Sequence, residues 1–249
     1  MAKDEIKFSA ITSRPTTEWS LGRQVLAAFE EVSPQLAPEV LYQWEDKIGP
    51  FESVEATEPY WAQLAQMRVN GALSEFPVGL RWKRNRAAKY EAEISHTRSD
   101  ARGNTIDGRL NVYAAVHKKT NWCLLGARLG ELMNADLAML HCFASFDNQS
   151  VRSNTPESRF RSFTILDGKV PNIGWGMFYG GRFVHEVDAA AISAAGFPVQ
   201  KIGDGYFVQV TEDINDVVND FAMFSKRRAK LKSLFRDDLF LIKDEPTIS

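Results

Sequence analysis

Val199-Gln200-Lys201-Ile202-Gly203-Asp204-Gly205-Tyr206-Phe207-Val208-Gln209-Val210-Thr211 is the stretch on which the fold turns. Two β-prone runs flank Gly203-Asp204-Gly205, and an Asp-Gly step between such runs is a strong hairpin signal. Thr211 then stands where it can cap a long helix whose first turn holds Glu212 and Asp213. A hydroxyl at that position accepts a hydrogen bond from a free backbone N–H, and carboxylates suit the positive end of the helix dipole. Ile214, Val217, Val218, Phe221 and Phe224 follow at three- and four-residue steps, and Leu231, Leu234 and Phe235 resume the stripe. Lys226, Arg227, Arg228, Lys230 and Lys232 crowd the later turns, where they complement the negative end of the dipole.

Further out the same mixture continues. Asp167-Gly168 is a second hairpin signal, and Asn148 to Glu157 is a polar loop. Ala135 to Phe143 is a strongly apolar strand that belongs in the middle of a sheet. Asn121 to Asn134 reads as a helix with Leu124, Leu125, Leu129 and Leu132 inward. Gly79 to Lys83, Tyr90 to Thr97 and Leu110 to Val116 read as strands. In the second of these Tyr90, Ala92 and Ile94 alternate with Glu91, Glu93 and Ser95, so one face is wet. Thr57 to Asn70 suits a helix with Pro59 in its first turn, and Gly49-Pro50 a turn after a strand from Val40 to Trp44. Ile6 to Ile11 is a strand, and Thr16 or Thr17 can cap a helix running through Glu31. Strands and helices without regular βαβ alternation predict an α+β protein: mostly antiparallel or mixed sheets packed by helices, with a long C-terminal helix. The chain is read as one domain over 1–249, with two subdomains meeting near 100–120 as the variant of that reading.

At 249 residues, 44% hydrophobic and 25% charged, the chain has a globular composition. That excludes a disordered tail, a collagen-like repeat and a coiled-coil rod. No run approaches the ~18 apolar residues of a spanning helix. The charged start Met1-Ala2-Lys3-Asp4-Glu5 lacks the apolar core of a secretory signal. Two cysteines make no disulfide framework, so a reduced, cytoplasmic setting away from membranes is expected.

The four histidines, His96, His117, His141 and His185, are scattered, and no cysteine pair has C-x-x-C spacing, so no metal site is expected. There is no nucleophile elbow and no phosphate loop. No cofactor is implied. Glu91-x-Glu93, with Lys89 two residues earlier, puts two carboxylates and an amine on one face of a strand. That pattern serves a metal-dependent nuclease or phosphodiesterase, and equally the wet face of a meander. Arg81, Lys83, Arg84, Arg86 and Lys89 interleave with Trp82 and Tyr90, but a pI near 6.1 argues against nucleic acid as the main partner. Charge is uneven: residues 30–60 hold eight acids against Lys47 alone. Such a field steers a basic partner, or pairs with the basic 81–90 segment within the chain or across a homodimer.

Pro171-Asn172-Ile173-Gly174-Trp175-Gly176-Met177-Phe178-Tyr179-Gly180-Gly181-Arg182-Phe183-Val184 adds a resemblance. It is followed by Ala191-Ile192-Ser193-Ala194-Ala195, by Gly205 to Asp216 with its Gln209-Val210-Thr211, and by Asp238-Leu239-Phe240. In this order the segments resemble the immunity protein 52 family over about the C-terminal half of the chain; residues 1–100 carry no matching motif. The resemblance implies an α+β protein that protects a cell from a polymorphic toxin encoded beside it. Such toxins commonly bear a restriction-endonuclease-like nuclease domain delivered by type VI secretion. It implies stoichiometric inhibition in the cytoplasm, without an active site, and a cognate toxin as partner in place of direct nucleic-acid contact. Gly174, Trp175, Gly180, Gly205 and Thr211 are then structural. Specificity is expected in the unmatched part, where Glu39, Glu45, Asp46, Glu52, Glu55 and Glu58 supply charge and Tyr42 and Trp44 aromatic anchors. An effector chaperone or adaptor is the other non-enzymatic alternative.

Overall fold

The computed structural model describes residues 4–69, 72–100, 102–117, 119–144 and 154–245. In chain order its regular elements are β1 (Glu5–Thr12), α1 (Trp19–Val32), β2 (Val40–Gln43), β3 (Asp46–Pro50), β4 (Leu64–Val69), β5 (Ala72–Pro77), β6 (Leu80–Arg84) and β7 (Tyr90–Ser95). Then come β8 (Arg98–Ser99), β9 (Thr105–Ile106), β10 (Gly108–Ala115), α2 (Trp122–Leu132), β11 (Leu137–Phe143), α3 (Pro156–Ser162) and β12 (Gly176–Tyr179). The chain closes with α4 (Ala189–Ala194), β13 (Val199–Ile202), β14 (Gly205–Gln209), α5 (Asp216–Asn219) and α6 (Phe221–Lys232). This is an α+β fold. Two compact units divide it: an inserted unit, Ala10–Ala135, and a flanking unit made of Met1–Ser9 and Asp136–Ser249. Among the described residues no helix is long and apolar enough to cross a membrane.

The inserted unit orders its strands β10-β7-β6-β2-β3, each adjacent pair antiparallel. Period-2 patterning decides which face is covered. Tyr90, Ala92 and Ile94 of β7 are buried, and Glu91 and Glu93 point to the other face. Trp82 shares the covered face, where Phe29 of α1 stacks on Tyr90 at 5.0 Å and stands edge-on to Trp82 at 5.6 Å. Helix α2 packs beside α1, its N-terminus capped by Asn121, whose side chain accepts from the Leu124 N–H at 2.9 Å. Among the described residues β4 and β5 pair only with each other and form a separate ribbon.

The flanking unit runs β13-β14-β12-β11 and then the opening residues of β1. All seven residues of β11 are buried. Ile202 pairs with Gly205 across the two-residue turn that the Asp-Gly signal marks. Helix α6 buries Phe221, Phe224 and Leu231, and with them Arg228, which Glu245 neutralises at 2.5 Å.

Several local expectations are corrected. Thr57 to Asn70 is not a helix: a 3-10 turn spans Glu55–Tyr60, and β4 follows. Gly49-Pro50 lies inside β3, and the turn falls at Trp44-Glu45. Neither Thr16 nor Thr17 caps α1, whose N-cap is Glu18. Thr16 instead holds β7's end, its hydroxyl accepting from the Thr97 N–H at 2.9 Å and its carbonyl from Trp61 Nε1 at 3.1 Å. Thr211 does not open one long C-terminal helix. Its hydroxyl is taken by Trp175, and the helical stretch starts at Asp216 and breaks at Asp220, which caps α6 by accepting from the Met223 N–H at 3.0 Å. Leu124 is exposed, not inward. Of the polar loop expected at Asn148–Glu157, residues 148–153 lie outside the described residues, and α3 begins at Pro156.

Candidate functional site

The turn between β2 and β3 sets the site. Gln43 pairs with Asp46, so Trp44 and Glu45 alone reverse the chain. Trp44 takes φ +55, the left-handed region, which costs a side-chain-bearing residue roughly 1–2 kcal/mol. Arg81 on β6 holds it there by donating from Nη2 to the Trp44 carbonyl at 3.2 Å. The indole is 58% exposed and stands edge-on to Phe76 of β5, ring centres 6.0 Å apart. Before the turn, the Tyr42 ring lies under the Arg81 guanidinium at 5.1 Å and the Lys83 ammonium at 5.0 Å. Between the turn, the β4–β5 ribbon and the β7–β8 segment opens a cleft of about 550 Å³, lined by Trp44, Met67, Phe76, Arg81, Glu93 and Arg98 among others. The Arg98 guanidinium lies 5.7 Å over Phe76. His96 also lines the cleft. Its Nδ1–H donates to the Thr16 carbonyl at 3.0 Å, and burial lowers its pKa from 6.5 to about 4, so it is neutral.

The structure separates the eight expected partner-binding residues. Glu39 is used inside the fold: its carboxylate accepts from the Asn85 N–H at 3.0 Å and faces Arg86 at 2.7 Å and Arg84 at 3.6 Å. That amide bond, and then the two guanidinium groups, hold its pKa below the usual carboxylate value. Tyr42 is half-buried. Glu45 is 97% exposed and lies 3.8 Å from Arg81. Glu55 meets Arg23 at 3.6 Å on the surface. Asp46, Glu52 and Glu58 are exposed. Trp44 and Glu45 therefore come together at the cleft, and Glu39 does not join them.

The other chemical candidates have structural occupations. Glu91 lies 2.7 Å from Lys83 Nζ and 3.4 Å from Arg81 Nη1, and Glu93 accepts from Asn111 Nδ2 at 3.0 Å. Among the described residues no three His, Cys, Asp or Glu gather as metal ligands. His141 is fully enclosed, and its Nδ1 accepts from the Trp175 N–H at 3.1 Å. Burial pushes the Cys123 thiol up, away from a reactive thiolate. Two further basic residues of α6 donate to carbonyls: Arg227 to Val210 and Gly196, and Lys230 to Ala195.

The motif residues sit in the core of the flanking unit. Trp175 is 1% exposed, and its Nε1 donates to Thr211 Oγ1 at 2.9 Å; that hydroxyl donates on to the Asp213 carbonyl at 3.0 Å. A Cβ on Gly205 would lie 2.5 Å from Phe178 and 2.7 Å from the Tyr179 carbonyl, and one on Gly174 would lie 2.5 Å from Met139. The Gly180 N–H donates to the Asp136 carbonyl at 3.0 Å.

Met67, Phe76 and the rest of the β4–β5 ribbon are what sequence reasoning missed. Asn70-Gly71, between the two strands, is the signal that could have found them.

No family model matches the chain, and no curated protein matches it. Its fold is similar to that of a solved structure, the Pseudomonas aeruginosa T6SS protein PA0821. At 10% sequence identity the two superpose with a TM-score of 0.55, over 94% of this chain and 73% of that one.

Proposed function

We propose that this protein is an immunity protein of a type VI secretion system. It binds a cognate toxin, a restriction-endonuclease-like nuclease effector, in the cytoplasm of the producing cell and neutralises it by occupying it. The observation that carries the reading is the likeness in fold, across nearly the whole chain, to a T6SS protein. The motif from Pro171 to Val184 supports it, because Pro171 to Gly180 are all buried and serve the core, as the resemblance implies for a structural motif. The acidic run supports it too: Glu45, Asp46, Glu52 and Glu58 stay in water, as capture of a basic nuclease cleft requires.

The test is co-expression. The nuclease toxin encoded beside this gene, induced alone, should degrade cellular DNA and stop growth. Induced with this chain, it should leave DNA intact and form an equimolar complex. Growth arrest that persists alongside a stable complex would identify an effector chaperone instead.

A further inference from the structure

Among the described residues of the inserted unit, five of the seven exposed large apolar side chains gather around one feature, Val116 and Leu124 being the other two. Leu64, Met67 and Leu73 project from the β4–β5 ribbon, and Trp44 and Ile106 stand at the cleft beside it. Register explains the pattern. Met67 opposite Ser74 and Ala65 opposite Phe76 share one face, while Leu64 and Leu73 lie on the other. Phe76 packs on Trp44, but the exposed Leu64, Met67 and Leu73 leave apolar surface on both faces of the ribbon for a partner to cover.

The cleft has a charge preference. Glu45, Glu93 and Asp107 line it against Arg81 and Arg98. Arg81 already meets Glu91 and the Trp44 carbonyl and lies 3.8 Å from Glu45, beyond hydrogen-bond reach, and Arg98 rests on Phe76. Glu45 stays exposed, next in the chain to an indole fixed by its backbone and by Phe76. An aromatic face beside an available carboxylate is a seat for a guanidinium or ammonium group, through cation–π attraction and a charge-assisted hydrogen bond.

We infer that this cleft is where the toxin docks, and that its occupant is a toxin loop presenting a basic side chain flanked by apolar residues. The cation settles against Trp44 and Glu45, and its apolar neighbours cover Met67 and Phe76. The left-handed backbone at Trp44 is strain retained to aim the indole. This rests on the immunity reading and narrows it to a surface.

The experiment measures binding of the catalytically disabled toxin encoded beside this gene to the full chain, by calorimetry. Trp44→Ala should weaken binding about 30-fold, as a central aromatic anchor does, and Glu45→Lys about tenfold with a flatter salt dependence. Leu124→Ala, an exposed leucine on α2, should leave it unchanged. Glu45→Lys changes a side chain in open water, so its result stands even if Trp44→Ala perturbs the turn. Wild-type affinity in both Trp44→Ala and Glu45→Lys would overturn the docking site and leave the immunity reading intact. A wild-type chain that binds no toxin would overturn both. A single-stranded oligonucleotide is the second probe: binding that Trp44→Ala abolishes would make nucleic acid the occupant and overturn the inference.

Discussion

Trp175 ties three parts of the flanking unit together through two hydrogen bonds, one to Thr211 Oγ1 and one from its backbone N–H to His141. Trp175→Phe keeps an aromatic ring there but removes the indole donor. The loss should be about 1–2 kcal/mol, read as a lower urea midpoint at an unchanged m value. His96 makes a pH prediction. Burial lowers its pKa from 6.5 to about 4, outweighing the Thr16 carbonyl that favours the protonated ring. Between those values the unfolded chain binds a proton that the folded chain refuses. Stability is therefore full above 6.5 and drains as pH falls toward 4, by up to about 3 kcal/mol from this residue. His141, also lowered by burial, acts with the same sign. His96→Gln should lose less stability than wild type between pH 7 and pH 4.5 in urea titrations; equal losses would refute the burial account.

Elements record where sequence is a sufficient guide. The β13–β14 hairpin and the β6–β7 meander were legible because turn residues and period-2 patterning act within a few positions. Leu64–Val69 misled because Leu, Ala, Gln, Met and Arg are all strong helix formers, and only pairing with Ala72–Pro77 makes them a strand. Thr211 misled for a longer-range reason: its hydroxyl is claimed by an indole 36 positions earlier in the chain. With that cap occupied, Asp220, nine residues further on, caps the main C-terminal helix. Asp220→Ala should cost about 1 kcal/mol and lower the melting temperature, since it frees the Met223 N–H at the start of α6. An unchanged melting temperature would show that α6 depends on packing alone.

At the scale of the whole molecule the acidic run divides into used and available charge. Sequence made Glu39 equivalent to Glu45, but Glu39's partners lie more than forty positions away, beyond the reach of local patterning. Likewise Trp44 and Glu45 were legible as surface candidates, while the cleft they edge was not, because Met67 and Phe76 belong to the misread ribbon. Reversing Glu45, Asp46, Glu52 and Glu55 to Lys should slow toxin capture at least about tenfold at low salt, with the difference shrinking as salt screens the field. Equal association rates at low ionic strength would remove the acidic run from the account.

The division of the chain also sets a timetable for its synthesis. Residues up to Ser9 belong with those from Asp136 onward, so the ribosome finishes the inserted unit before β11, a strand beside β1, exists. At ~5–20 residues per second that delay lasts roughly 6–25 s. For that interval one edge of β1 lacks its partner strand, which makes this apolar stretch one that a nascent-chain chaperone would grip.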